Sequence, residues 1–155
     1  MAASRPFAML VGVTAAALLL LSGYPHLGDR RAARHQVAAL AATIDRYRGD
    51  GCLFAFSAPP VLYQATGSCL PTRYPFGTHL TLTSESRAIG VDPIVELRRI
   101  LATRPPVIVS GPPVGPVERL PYQLVAAAVA RDYVRVGRGL GTIVYALRRR
   151  PADNP

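Results

Sequence analysis

The pattern of apolar and polar positions predicts helices and short strands that follow one another along the chain. A first apolar run, residues 7–24, contains no charged residue. Over residues 33–48 apolar side chains recur at spacings of three and four, which is the period of an amphipathic helix. Three short apolar runs, residues 52–57, 107–110 and 142–147, lie between turn-forming residues. Each of these runs is typical of a buried strand.

Two longer helices are predicted in the second half of the chain. Asp92 provides a capping side chain, and Pro93 suits the first helical position, so a helix is expected to begin there. Another helix is expected over residues 121–136, and a short one over 61–66. The Thr- and Ser-rich segment 78–90 is expected to form a loop. Strands that alternate with helices predict a small three-layer α/β domain with a short, mainly parallel sheet.

The first apolar run also predicts a membrane segment. Its 18 residues, Phe7 to Tyr24, are just enough for a helix across a hydrocarbon core of about 30 Å. A cleaved signal peptide and a buried core helix are the alternatives, and the run lacks the small-x-small cleavage pattern of a signal peptide. The predicted organisation is a membrane anchor helix over residues 1–26, an α/β domain over 27–148 and a polar tail over 149–155.

Composition and charge exclude several classes of protein. An apolar fraction of 50% is too high for a disordered chain. The formal net charge is +9, and all 18 basic residues are Arg. These Arg are scattered and accompany no recognised nucleic-acid-binding module, so nucleic acid is not expected as a partner. No pair of carboxylates is placed for acid/base chemistry, so the residues predict no catalytic group. The glycine-rich segments 111–115 and 137–141 match neither a phosphate loop nor a dinucleotide fingerprint, so no cofactor is predicted. A metal is not predicted either, and the one alternative to this is given with the cysteines below.

The two cysteines, Cys52 and Cys69, are separated by 16 residues. This is not the C-x-x-C spacing of a redox or zinc motif. A structural disulfide is the expected use of the pair if the domain lies outside the cytoplasm. Two buried free thiols are an alternative, and a metal site with His79 as a third ligand is another.

The segment from Gly67 to His79 contains the candidate contact residues. Arg73 is flanked by prolines and by aromatic residues, and a guanidinium beside aromatic rings can bind phosphate groups or sugar faces. Internal pairing of this Arg is the alternative. We therefore predict Arg73, Tyr74 and His79 as residues that contact a ligand or a partner.

The same part of the chain resembles a known family. The residues that carry the resemblance are 62–63 (LY), 66–67 (TG), 69–76 (CLPTRYPF), 90–93 (GVDP) and 96–97 (EL). This pattern resembles the C-terminal region of bacterial polytopic glycosyltransferases of family 39, the group of the protein mannosyltransferases and the lipid A aminoarabinose transferases.

The resemblance implies a fold and a chemistry. In that family many membrane helices precede a C-terminal extracytoplasmic α/β domain, and Cys52 and Cys69 look like the cysteine pair of that region. The donor is a polyprenyl-phosphate sugar. The catalytic acidic residue lies in a first extracytoplasmic loop near the N-terminus, and this chain has no such loop. No catalytic residue can therefore be carried over, and enzymatic activity stays open.

Two functional hypotheses follow from these observations. The first is an extracytoplasmic domain anchored in the bacterial inner membrane, which corresponds to the C-terminal part of such a glycosyltransferase and has no activity alone. Membrane lipid, a polytopic membrane protein and a polyprenyl-phosphate sugar are then its expected partners. The alternative is a single-pass membrane-anchored binding or interaction protein with an unknown ligand.

Overall fold

The computed structural model describes residues 5–21, 27–85 and 90–148. The chain divides into two compact units, Met1–His35 and Gln36–Pro155. The helices are α1 (Arg5–Leu21), α2 (Leu27–Arg48), α3 (Val61–Ala65), α4 (Thr78–Thr81), α5 (Pro93–Ala102) and α6 (Arg119–Asp132). The strands are β1 (Leu53–Phe56), β2 (Val107–Ser110), β3 (Tyr133–Gly139) and β4 (Thr142–Leu147).

Helix α1 corrects the expected membrane segment. It has 17 residues, which at 1.5 Å per residue is about 25 Å, whereas a span needs about 20 residues. Within the described residues, no helix is both long enough and apolar enough to cross a membrane. The predicted anchor helix and the single-pass inner-membrane localisation are therefore wrong. The last part of the predicted span, residues 22–24, lies outside the described residues.

The four strands form one mixed sheet in the order β1-β2-β4-β3. β1 and β2 are parallel, with Leu53 opposite Val107. β4 is antiparallel to both of its neighbours, β2 and β3. The sheet is therefore not mainly parallel, and this part of the predicted fold was also wrong.

The difference arises at residues 133–139, of which residues 133–136 were expected to be the end of a helix. They form β3, and a tight turn at Leu140 and Gly141 connects β3 to β4. Both turn residues have positive φ, 52° and 71°, which matches the twist of a two-residue hairpin. A hairpin requires neighbouring antiparallel strands, so β3 extends the sheet on the far side of β4.

Each face of the sheet has its own apolar core, because successive strand residues point to opposite faces. On one face, helices α2 and α3 pack on the sheet, and the buried residues are Leu40, Ile44, Leu53, Ala55, Leu62, Tyr63, Val107, Val109 and Val144. On the other face, α4, α5 and α6 pack on the sheet, and the buried residues are Phe54, Phe56, Leu80, Leu97, Ile100, Ile108, Val125 and Tyr133. Helices thus cover both faces of a small α/β domain.

Helix α5 begins as its sequence predicts. The Asp92 carboxylate accepts hydrogen bonds from the backbone N–H groups of Ile94, at 2.7 Å, and Val95, at 3.3 Å. Pro93 occupies the first turn, where no N–H group is required. This cap fixes where α5 begins and therefore where the Glu96 side chain projects from the helix. Glu96 is part of the candidate site described below.

Candidate functional site

A disulfide joins Cys52 to Cys69. The two Cα atoms are 4.8 Å apart, within the usual range for a disulfide. The predicted disulfide is thus present, and no described cysteine is a free thiol or available as a metal ligand. The bridge attaches residue 69 to the chain just before β1, so it fixes one end of segment 69–72, which directly precedes Arg73.

Hydrogen bonds reinforce the same attachment. The Ser68 hydroxyl accepts a hydrogen bond from the Leu53 N–H at 2.7 Å and donates one to the Cys69 carbonyl at 2.9 Å. The Arg48 guanidinium donates to the carbonyls of Gly51 at 3.0 Å and Thr66 at 3.2 Å. The connection after α3 is therefore held against both α2 and the start of β1.

Glu96 holds the other end of the segment. Its Oε1 accepts a hydrogen bond from the Thr72 hydroxyl at 2.6 Å, and Arg99 donates to both carboxylate oxygens at 2.6 and 2.8 Å. Arg99 also donates to the Pro71 carbonyl at 2.8 Å. The Glu96 side chain is only 14% exposed, so segment 71–72 is fixed to α5 through a largely enclosed carboxylate.

This environment strongly favours the charged form of Glu96. The hydrogen bonds from Arg99 are the main cause that lowers its pKa, and they outweigh the opposing effect of burial. The Thr72 hydroxyl and the positive charges of Arg99 and Arg73 lower it further, to about 2. A carboxylate with so low a pKa is a poor general base at neutral pH, so Glu96 has a structural role here.

The segment and α5 together form an open cleft of about 520 Å³. Its lining residues are Leu70, Pro71, Thr72, Arg73, Tyr74, Val91, Glu96 and Arg99. Two guanidinium groups face one carboxylate there, so the cleft carries one net positive charge. The Arg73 side chain is exposed, and none of the described residues makes a hydrogen bond or an ion pair with it. This cleft can therefore attract an anion.

The structure brings two of the three predicted contact residues together. Arg73 and Tyr74 line the same cleft. His79 lies on α4 and does not line that cleft, because the helical turn directs its ring toward Glu85 and Phe76. Its Nδ1 is 3.1 Å from a Glu85 carboxylate oxygen, although the geometry is not that of a hydrogen bond. Its ring stands edge-on to Phe76, with centroids 5.8 Å apart.

Sequence reasoning missed three residues that shape the cleft. Glu96 and Arg99 form an i,i+3 pair on α5, a spacing that is visible in the sequence. The hydrogen bond from Thr72 joins residues 24 positions apart, and no local pattern indicates it. In the part of the chain that the structure describes, no group of three His, Cys, Asp or Glu residues could hold a metal ion.

Comparisons with protein-family models, with curated proteins and with solved structures found no match to this chain. The resemblance to family 39 glycosyltransferases therefore stays a prediction from the residues quoted above.

Proposed function

We propose that the α/β domain binds a ligand that carries a phosphate group, with Arg73 as the main contact and Tyr74 beside it. One observation carries the proposal. Arg99 is held by Glu96 and by the Pro71 carbonyl, whereas Arg73 has no such partner among the described residues. The cleft thus offers a guanidinium that has no hydrogen bond or ion pair among the described residues and that directly follows segment 69–72, which is fixed at both ends.

The chemistry of the guanidinium favours phosphate over other anions. Its N–H donors form a planar fork that matches two oxygens of one phosphate group. It also keeps its charge at every physiological pH. Arg99 forms an ion pair with Glu96, so Arg73 is the guanidinium of the cleft that has no ion pair among the described residues. A phosphate group that enters the cleft would therefore approach Arg73.

The resemblance supports a particular phosphate ligand. The donors of family 39 glycosyltransferases are polyprenyl-phosphate sugars, so a sugar attached to phosphate is the ligand class that this account favours. We propose that the domain contributes binding without transfer, because the residues that carry the resemblance match the C-terminal region of that family, whereas the family's catalytic acidic residue lies in its first extracytoplasmic loop. A polytopic membrane protein that contains such a loop would be the partner that supplies catalysis.

Binding can be tested with a water-soluble sugar phosphate. We expect mannose 1-phosphate to bind the full chain in isothermal titration calorimetry, with an affinity that falls as salt rises. The substitution Arg73→Gln should weaken binding about tenfold or more, because a hydrogen bond to a charged group contributes about 1.5–3 kcal/mol. Arg98→Gln is the matched control, because Arg98 is an exposed Arg on α5 outside this cleft.

Two results would contradict the proposal. One is the absence of binding at millimolar mannose 1-phosphate. The other is an equal loss of affinity in the Arg73→Gln and Arg98→Gln variants, which would indicate only a diffuse effect of net charge. Sugar transfer from a polyprenyl-phosphate mannose donor by the chain alone would contradict the non-catalytic part of the proposal.

A further inference from the structure

A second cleft lies at the carboxyl ends of the parallel strands β1 and β2. Its volume is about 430 Å³, which is in the range of small-molecule sites. In open α/β sheets, ligands commonly bind just outside the carboxyl ends of the strands. Four parts of the chain contribute to its lining: residues 57–60, residues 76–78, residues 111, 112 and 114, and residues 140–142.

Ser57, the residue that follows β1, lines this cleft. Its φ is 48°, a value that residues other than glycine seldom adopt. The Tyr122 hydroxyl donates to Ser57 Oγ at 2.9 Å, and Ser57 Oγ donates to the Pro112 carbonyl at 3.2 Å. The Gly111 N–H donates to the Ser57 carbonyl at 3.1 Å. An unfavourable backbone conformation that is fixed by several surrounding contacts is characteristic of binding sites.

The backbone of two glycines, Gly77 and Gly111, lies close to Ser57. A Cβ atom on Gly77 would lie 2.6 Å from the Ser57 backbone nitrogen, and a Cβ atom on Gly111 would collide with the Ser57 carbonyl oxygen. Any side chain at either position would therefore displace the Ser57 backbone. The close packing of three backbone segments means that the cleft is preformed rather than dependent on mobile side chains.

The lining determines the class of ligand. It includes Pro59, Pro60, Pro112 and Leu140 but no Asp, Glu, His, Lys or Arg. A charged ligand would lose its hydration there without gaining a counter-charge, so the cleft favours an uncharged molecule.

Two side chains on the rim give the cleft its specific contacts. Phe76 is 51% exposed, and its ring packs nearly perpendicular to the His79 ring, at an interplanar angle of 85°. Thr78 is exposed, and among the described residues its hydroxyl has no hydrogen-bond partner. The Phe76 ring and a Thr78 hydroxyl without a hydrogen-bond partner among the described residues thus lie two residues apart in the lining of the cleft.

We propose that this cleft binds an uncharged small molecule that places an apolar ring face on Phe76 and a hydroxyl or ether oxygen near Thr78. The site is separate from the Arg73 cleft, because the two sets of lining residues share no member. It therefore does not depend on the proposed phosphate site.

The test uses two probes that share a phenyl ring. Phenyl β-D-glucoside is uncharged, and phenyl phosphate is an anion. On the ¹⁵N-labelled full chain, we expect the glucoside to shift the backbone amide signals of Phe76, Thr78 and Gly111, and these shifts should saturate as its concentration rises. We expect phenyl phosphate to shift signals around Arg73 instead. The two proposals can then succeed or fail separately.

Variants give the second measurement. Phe76→Ala should weaken glucoside binding about tenfold through the lost ring contact. Thr78→Val, which keeps the shape of the side chain, should weaken it about fivefold through the lost hydrogen bond. Tyr47→Ala removes an aromatic ring of similar exposure, 42%, outside the cleft and should leave the affinity unchanged.

Three outcomes would overturn the proposal. They are the absence of saturable shifts at the cleft with the glucoside, shifts confined to α1 or to the Arg73 cleft, and an equal loss of affinity in the Phe76→Ala and Tyr47→Ala variants. Thr78→Val is a conservative surface substitution, so it keeps the test decisive if Phe76→Ala does not fold.

Discussion

Glu96 is the residue on which the candidate site most depends. It receives hydrogen bonds from a loop residue, Thr72, and from a helix residue, Arg99, and it is largely enclosed between them. Arg73, which is proposed to bind the ligand, follows Thr72 directly in the chain. The position of the binding group therefore depends on a neighbouring carboxylate that binds no ligand itself.

Substitution of Glu96 should reduce stability. Glu96→Gln leaves the Thr72 and Arg99 donors without a charged acceptor, and we expect the free energy of unfolding to fall by about 2 kcal/mol. Urea unfolding at pH 7 measures the change. The control is Glu118→Gln. Because Glu118 is exposed, this substitution should change the free energy of unfolding by less than about 0.5 kcal/mol. Equal effects of the two substitutions would refute the role of Glu96.

The lowered pKa of Glu96 predicts that the stability of the fold depends on pH in acid. The pKa of Glu96 is lowered to about 2 in the folded state from an ordinary value of 4.5. Its contribution to stability is therefore complete above about pH 4.5 and is lost as the pH falls toward 2. Urea unfolding at pH 5 and pH 3 should show a smaller acid-dependent loss in Glu96→Gln than in the unchanged chain. An identical loss in both would count against the lowered pKa.

Segment 69–72 is held by the disulfide at one end and by Glu96 at the other. The bridge closes a loop of 17 residues in sequence separation, for which the chain-entropy estimate is about 3 kcal/mol. Because Arg73 lies four residues after Cys69, freeing that end should also loosen the proposed binding group.

Removal of the disulfide should therefore affect both stability and binding. We expect the double variant Cys52→Ser, Cys69→Ser to unfold about 3 kcal/mol more easily in urea and to bind mannose 1-phosphate more weakly. A thiol reductant should reproduce both effects in the unchanged chain and have none on the double variant. An unaltered urea midpoint in the double variant would show that the bridge contributes nothing to the fold.

Several elements could be predicted from the sequence because neighbouring turn-forming and capping residues determine where they begin and end. Strands β2 and β4 occupy the predicted residues, and α5 begins at the predicted Asp92 cap. Strand β3 was missed because the apolar positions of α6 continue into residues 133–136, where β-branched and aromatic residues suit a strand equally well. The hairpin contact with β4 decides between the two, and that contact is not visible locally.

The candidate site shows the same limit. Arg73 and Tyr74 were predicted together because they are neighbours in the chain, and they do line one cleft. His79 was grouped with them by proximity in sequence, but the single turn of α4 gives it other contacts. Apolar composition likewise suggested a membrane span, although it does not determine where the helix of residues 5–21 ends.

Among the described residues, helix α1 carries a run of exposed apolar side chains, whereas the buried ones belong to the α/β domain. Within the described residues, all buried hydrophobic side chains lie between Leu40 and Ala146. On α1, by contrast, the following large apolar side chains are more than half exposed: Met9, Leu10, Val11, Val13, Leu18, Leu19 and Leu21. Apolar surface of this extent in water favours association.

Deletion of residues 1–26 should therefore change association but not folding. We expect the full chain to sediment as larger species when its concentration rises, and the truncated chain to remain a monomer. The thermal midpoint of the α/β domain should be the same in both, because its core residues are retained. A lower midpoint for the truncated chain, or monomeric behaviour of both chains at every concentration, would contradict this account.

The most direct test of the central claim observes the Arg73 side chain itself. The guanidinium Nε–H groups give individual NMR signals, which can be assigned with single Arg→Gln variants. During a titration with mannose 1-phosphate, the account predicts a saturable shift of the Arg73 signal, with the Arg98 signal unchanged. A shift of many arginine signals together, or none at Arg73, would contradict the claim that this residue forms a phosphate-binding site.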